Sequence, residues 1–573
     1  MVMVLLNWLY IALTSFLTGF AVLSFFSALF TTKNRKVLPQ ILAGLIVNTV
    51  FAQVWSLFGG VGLVANIVLI LISLTVLIFK FSQIKELVGE SVQEMLGTKY
   101  LPVVYGVIIV LFAFGTSRGY IHYDTHLYHA QSIRWIEEYG VVKGLASLQL
   151  RFGYNSSAFA LTALYSWVWL IGQSLHTTSG FFALLGAVQV AQIYTVFVDK
   201  KVRYSDFIRI GLLFYLGLIF REMTSPASDY YAQILIYTVI IMWLDALDSQ
   251  DKESEGYAYP FAMLSILLVY AATIKFSIAL LVLLVIKPAV ILIKKKQVKQ
   301  ILSSLCGGIV VLVPFFIRNV IISGWLIYPS TFIDLFNVDW KIPKGVAQYD
   351  AMEIGVYGKG INDVTKLDMP ISQWLPNWFK AMSLIEKGWV FLTFLSIVVC
   401  VIYFVVKVIK KKVDYDRLLV CVVVIASCIF WFVSAPLVRY GYGYLTCVPL
   451  LVDGLLCYEL VNKTKDMKSL YIAFVIVFSV LGLYRAKTIC YDIMTTVKEP
   501  YYISQKDYTD WPAEEYNLDG QTIYIPTEGT FIGYEKFPSS VLTIDVELRG
   551  DGFEDGFRFK DYEGFIDQYE QNK

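Results

Sequence analysis

Long uncharged stretches separated by short charged ones set the pattern of this chain. Val4 to Phe30 carries no charged residue and ends at Lys33-Asn34-Arg35-Lys36, and Val37 to Phe79 is uncharged and long enough for two helices turning near Gly59-Gly60. Runs of about 20 apolar residues cross a bilayer as helices, because the backbone must satisfy its own hydrogen bonds there. Further crossings are predicted at Leu101–Ser117, Phe181–Val198, Ile210–Phe220, Tyr230–Leu244, Ile301–Ile317, Gly388–Val406, Leu418–Ala435, Tyr440–Val461 and Ser469–Tyr484. The Ile210–Phe220 run is short, and the flanking Arg209 and Arg221 suit it to a locally thinned bilayer.

The Lys and Arg residues orient these runs. Lys33 to Lys36, Lys200-Lys201 with Arg203 and Arg209, Lys294-Lys295-Lys296, Lys410-Lys411-Lys412 and Lys463 with Lys465 and Lys468 mark the cytoplasmic side. The N-terminus is then outside, its first run is a retained span, and Lys80–Lys99 is a cytoplasmic loop. Tyr257 to Ile293 joins two cytoplasmic loops, so it must cross an even number of times. Two short helices with their vertex at Thr273–Ser277 satisfy that and carry Lys275 to the outer face. About fourteen crossings result.

One uncharged run conflicts with this parity. Phe152 to Val198 could hold two spans, but two crossings would place Lys200 and Lys201 outside. We therefore expect Phe181–Val198 to cross and Asn155–Leu175, with Tyr165, Trp167 and Trp169, to lie on or dip into the outer interface. Two ordinary spans are the alternative.

Composition agrees with the pattern. With 57% hydrophobic and 16% charged residues and a mean hydropathy of +0.63, the chain is excluded from the soluble globular proteins and no nucleic-acid partner is expected. Of the seven cysteines, Cys306, Cys400, Cys421, Cys428, Cys447 and Cys457 sit in apolar runs without metal or redox spacing. Thr488–Lys573 differs: 18 Asp and Glu face 7 Lys and Arg, a net of −11 that leaves +13 on the preceding 487 residues. That asymmetry predicts a small solvated α+β domain outside the membrane, packed on the loops, with short strands at Thr522–Ile525 and Val541–Val546.

Candidate chemistry gathers on the outer face. Arg118 to Gly140 follows a span and holds His122, His126 and His129, three of the four histidines, with Asp124 among them. Asp124 can cap a helix running to a stop at Gly140 and still serve as a base. Asp229 starts another helix after the loop Glu222–Ser228, Arg318 follows Pro314, and Arg439 follows Pro436. The loop from Arg318 to Lys387, with Trp340, Trp374 and Trp378, is too long for a connector and is expected to wall the site. Carboxylates beside several cations suit a reaction on a lipid-linked anion: one carboxylate takes a hydroxyl proton while Lys and Arg hold a phosphate leaving group. A polysaccharide polymerase or ligase would use the same lipids. A flippase or transporter would need ionisable groups deep in the spans, where only Asp453 and Glu459 stand out.

Four motifs occur in order: Asp-x-x-x-Tyr-His at Asp124, Tyr128 and His129; Ser225-Pro226-x-x-Asp229; Thr273-x-Lys275; and Pro314-x-x-x-Arg318-Asn319 with Tyr328-Pro329. In these the chain resembles the GT-C glycosyltransferases, polytopic enzymes that use polyprenyl-phosphate-linked sugars and include protein O-mannosyltransferases and the aminoarabinose transferase of lipid A. The resemblance implies a core over 100–487 with external loops at 118–155 and 318–388, preceded by three extra helices in 1–99 and followed by the 488–573 domain. It implies Asp124 as the catalytic carboxylate of the first external loop; our own reading of the outer face adds Asp229 to orient acceptor or donor, Lys275, Arg318 and Arg439 to bind the lipid phosphate, and Tyr128, His129, Arg151 and Asn155 as further substrate contacts. The usual adjacent pair of acids is missing, since Tyr123 and Thr125 flank Asp124. A divalent ion on His122, Asp124 and His126, and neutral histidines that hydrogen-bond substrate, both stay open. The expected activity is inverting transfer of a sugar, at the outer face of the cell membrane, to a glycan, lipid or protein acceptor.

Overall fold

The structure, a computed structural model, describes residues 1–33, 36–249, 252–464, 467–496, 501–542 and 545–561. Arg35 and Lys465, part of the charge bias, lie outside the described residues, as does Asn34. Among the described residues, thirteen helices are long and apolar enough to cross a membrane. The Tyr204–Ile219 helix stands at the expected short crossing. Length and composition thus give an α-helical multi-pass membrane protein.

Two helices outrun their apolar segments. Leu63–Gly97 is one 35-residue helix, so the charged stretch expected as a loop at Lys80–Lys99 is helical almost throughout. Good helix formers such as Lys85, Glu86, Leu87 and Glu90 continue the turn once it is nucleated in the apolar run. For the same reason Met467–Thr496 continues through the expected domain boundary at Thr488. The first two helices touch backbone to backbone: a Cβ on Gly44 would stand 1.7 Å from Ser15 O, and one on Gly19 would stand 1.9 Å from Gln40 O. Small residues permit such contact between helices.

The disputed run 155–175 holds no helix long enough to cross; its first part is buried in the protein, and Leu170 in its second part is exposed. Ser157–Leu164 is an eight-residue helix, about 12 Å long and too short to cross. It is buried throughout, then turns at Trp167 (φ +55°) and comes back, Leu175 N donating to Ser166 O at 2.7 Å. Broken backbone buried away from water requires protein partners. The three extra N-terminal helices supply them: Asn7 Nδ2 donates to Tyr165 O (2.9 Å) and Asn66 Nδ2 to Leu164 O (3.0 Å), while Asn48 Nδ2 holds the Tyr165 hydroxyl at 2.8 Å. Residues 1–99 therefore complete the carbonyl end of this short helix, which enters the protein and turns back.

The tail carries β1 (Ala513–Leu518) paired antiparallel with β2 (Gln521–Pro526), and β3 (Asp545–Leu548) paired antiparallel with β4 (Phe557–Asp561). β2 is the strand expected at Thr522–Ile525. β3 begins later than the expected Val541, with residues 543–544 outside the described residues, and β1 and β4 were not expected. Asp519-Gly520 turns the first hairpin with positive φ at both positions, the geometry that matches strand twist. As expected, the tail packs on the loops. Trp135, Leu145, Leu148 and Phe152 share one core with Trp325, Ile342, Ile523, Val546 and Phe557.

Candidate functional site

A strap formed by Gly119–His122 delivers the first residues of the site. Tyr120 N donates to Arg221 O (2.5 Å) and His122 N to Ser225 Oγ (2.6 Å), tying the strap to the loop after the Tyr204–Ile219 helix. A Cβ on Gly119 would stand 2.4 Å from Arg221 O, so this approach needs glycine. The expected cap at Asp124 does not form. Asp124 already has helical dihedrals (φ −62°, ψ −26°) and its carboxylate makes no capping bond. Thr125–His129 forms a π-helical turn, a distortion concentrated at functional sites, before Ala130–Glu138 continues as α-helix. The helix stops at Gly140 (φ +81°), as expected.

Released from capping, the Asp124 carboxylate meets Arg439. Arg439 Nη2 donates to Asp124 Oδ2 at 2.8 Å, and Arg439 Nε lies 3.0 Å from Asp229 Oδ2, so one guanidinium bridges two carboxylates. Asp229 occupies the first turn of the Ser228–Ser249 helix, where negative charge is favoured, and also takes the Lys275 ammonium. Lys275 stands at the expected vertex, between the Tyr259–Ile274 helix and the 3-10 helix Phe276–Val285, with its ammonium 3.5 Å from the Tyr440 ring centre. His122 packs on Arg439, with Nδ1 3.7 Å from Asp124 Oδ2. Two anions and two cations balance here, drawn from four separate segments of the chain.

Burial shapes the protonation of this cluster. It raises the Asp124 carboxyl above the usual range, and Arg439 opposes the rise. Burial, with Arg439 adding to it, holds His122 down to about 4, so its imidazole is neutral at physiological pH. A carboxylate with raised basicity beside fixed cations can accept a hydroxyl proton while the cations hold an anion.

The other sequence candidates fall elsewhere. His129 Nδ1 meets Thr125 Oγ1 at 3.2 Å, and Tyr128 packs against His129, Tyr154 and Phe159, behind the cluster. His126 turns away toward Trp511 and Phe531 of the tail, so the trio His122, Asp124 and His126 does not converge on one point. Among the described residues no three His, Cys, Asp or Glu side chains are grouped as a metal ion would need. Arg151 stands near Asp350 and Glu353, whose carboxyls its charge lowers against the effect of burial. Arg318 joins Asn155 and Ser56 rather than Lys275 and Arg439.

Sequence reasoning gave no role to three neighbours, although Ser225 stands in one of its motifs. Tyr123 hydroxyl lies 2.7 Å from Tyr357 hydroxyl, which brings the Lys344–Gly358 helix of the long loop to the site, as a wall should. Tyr440 supplies the ring under Lys275 and accepts from Arg439 Nη2 at 3.2 Å. Ser225 holds the strap. The available signal was adjacency: Tyr123 and Tyr440 each stand next to a charged residue of the cluster.

A protein family described as "Domain of unknown function (DUF8201)" matches residues 1–446. The chain belongs to that family. The DUF8201 match contains Asp124, Asp229, Lys275 and Arg439 together with the three N-terminal helices that hold the Ser157–Leu164 helix, and it stops short of the tail strands. No curated protein and no solved structure matches the chain.

Proposed function

We propose that this protein is an inverting GT-C-type glycosyltransferase that moves a sugar from a polyprenyl-phosphate donor to an acceptor at the outer face of the plasma membrane. The observation that carries the reading is the single Arg439 guanidinium shared by Asp124 and Asp229, with Lys275 beside them. In this reading the acceptor hydroxyl oxygen bonds to the anomeric carbon as the sugar–phosphate bond breaks. The bonding pair leaves with the polyprenyl phosphate, which Lys275 and Arg439 stabilise, and the hydroxyl proton passes to Asp124. A phosphate that draws Arg439 toward itself weakens the contact that opposes proton uptake by Asp124, so donor binding strengthens the base. One displacement inverts the anomeric centre.

Further support comes from the motif order that resembles GT-C enzymes and from the Lys and Arg bias, which favours an outer position for this end of the bundle and the tail. The acceptor is a surface glycan, lipid or protein. The test is mass spectrometry of membrane lipids and surface glycans from cells carrying wild-type protein or Asp124→Asn. Accumulation of one polyprenyl-phosphate sugar, with loss of that sugar from one surface glycan, is the expected result. An Asp124→Asn protein present at normal level that leaves every lipid and glycan unchanged would overturn the reading.

A further inference from the structure

Arg318 poses a separate electrostatic problem. It is 2% exposed on the Val298–Ser323 helix, its Nη1 donates to Ser56 Oγ, and its Nε donates to Asn155 Oδ1 at 3.3 Å. Both acceptors are neutral, and among the described residues no ionisable anion acts on this guanidinium. Arginine keeps its proton in proteins, so a full charge is buried here against dipoles alone, a costly arrangement.

The guanidinium borders a small cavity of about 20 Å³ whose wall also includes Ser132, Ile136, Tyr154, Asn155 and Phe159. Ser132 Oγ is buried and has no hydrogen-bond partner among the described residues. An uncompensated cation and an unused hydroxyl therefore line one void, and buried polar groups in native proteins rarely go unmet. The volume selects the ligand class. A cavity of this size admits one particle of about water size, which excludes a phosphate or a sugar ring. Water would satisfy the hydroxyl but leave the charge, whereas a monovalent anion answers both.

We propose that this cavity binds a chloride ion between Arg318 and Ser132. The ion would fasten three segments that position the site: the turn at Ser56, the Ala130–Glu138 helix that continues from Asp124, and the Asn155 lead into the Ser157–Leu164 helix. The test reads stability and is independent of sugar transfer. Protein purified in detergent with potassium gluconate is titrated with potassium chloride at constant ionic strength while its thermal unfolding midpoint is followed. The midpoint of wild-type protein should rise and saturate, and so should that of Asp339→Asn, which alters the surface pairing with Arg549 and Arg558 away from the cavity. Ser132→Val, which fills the void, and Arg318→Met, which removes the charge, should lose the rise. If Arg318→Met fails to fold, Ser132→Val carries the comparison. A wild-type midpoint indifferent to chloride, or a rise that persists in Ser132→Val, would overturn the proposal.

Discussion

The Ser228–Ser249 helix carries an ion cluster at each end, and the two are built differently. Asp229 opens the helix and meets Lys275 and Arg439. Asp245, sixteen residues and about 24 Å further on, meets Arg209 Nη2 at 2.5 Å, while Arg209 Nη1 holds Asp206 at 2.8 Å. Asp206 also accepts from Arg203 N at 2.8 Å and closes the start of its own helix. Three members of that second cluster, Arg203, Asp206 and Arg209, come from a single helix start. In the first cluster Asp124 and Arg439 are 315 residues apart, with side chains 15% and 20% exposed. Burial of charge alone therefore does not mark a site. Local pairing that completes a helix end reads as structure, whereas a single guanidinium shared by carboxylates from segments far apart in the chain marks the candidate site.

Substitutions should separate the two ends. The largest effect belongs to Asp124→Asn, which should cut transfer by about 10²–10⁴-fold at unchanged folded yield, measured as product formed per folded protein. Loss of yield in proportion to activity would make the Asp229 end merely structural. Arg209→Met should do the opposite. Asp206 keeps Arg203 at 3.1 Å and Asp245 is partly exposed, so losing the Arg209 bonds should cost about 1.5–3 kcal/mol of stability, seen as a lowered unfolding midpoint, while turnover per folded molecule is retained.

A carboxylate without a cation sharpens the contrast. Glu137 is buried between Tyr534 and Ser174 hydroxyls, which donate at 2.6 and 2.7 Å, and burial pushes its carboxyl up to about 7 from an ordinary 4.5. The folded protein thus prefers the protonated form. The contribution of Glu137 is most favourable below pH 4.5, is lost as pH rises toward 7, and is level above, a change of about 3 kcal/mol. Glu137→Gln should abolish that slope in midpoint against pH and gain stability above pH 7. An unchanged slope would assign the pH dependence to other groups. The smallest effect is expected at Arg549, whose exposed pairing with Asp339 at 2.8 Å should be worth less than about 1 kcal/mol in an Arg549→Ala comparison of midpoints.

How much of this was legible in the chain depends on the range of the physics involved. The Lys275 vertex followed from parity of crossings alone, and the helix stop at Gly140 from the tolerance of glycine for positive φ. The cap at Asp124 was misjudged because a capping residue and a π-turn residue look alike in sequence, and only the pull of Arg439 distinguishes them here. The partners of the Ser157–Leu164 helix were not legible, because the asparagines that bury its carbonyl end lie about a hundred or more residues away.

The sequence by itself determined the membrane spans, their approximate ends, the acidic tail and the positions where charge interrupts apolar runs. Hydropathy and helix propensity are sums over neighbours in the chain, so they can be read from neighbours. Only the tertiary structure decided that Arg439 rather than Arg318 reaches Asp124, that His126 faces the tail, and that residues 1–99 support the Ser157–Leu164 helix. Those choices depend on distances between segments far apart in the chain, and such distances are fixed only when the helices pack.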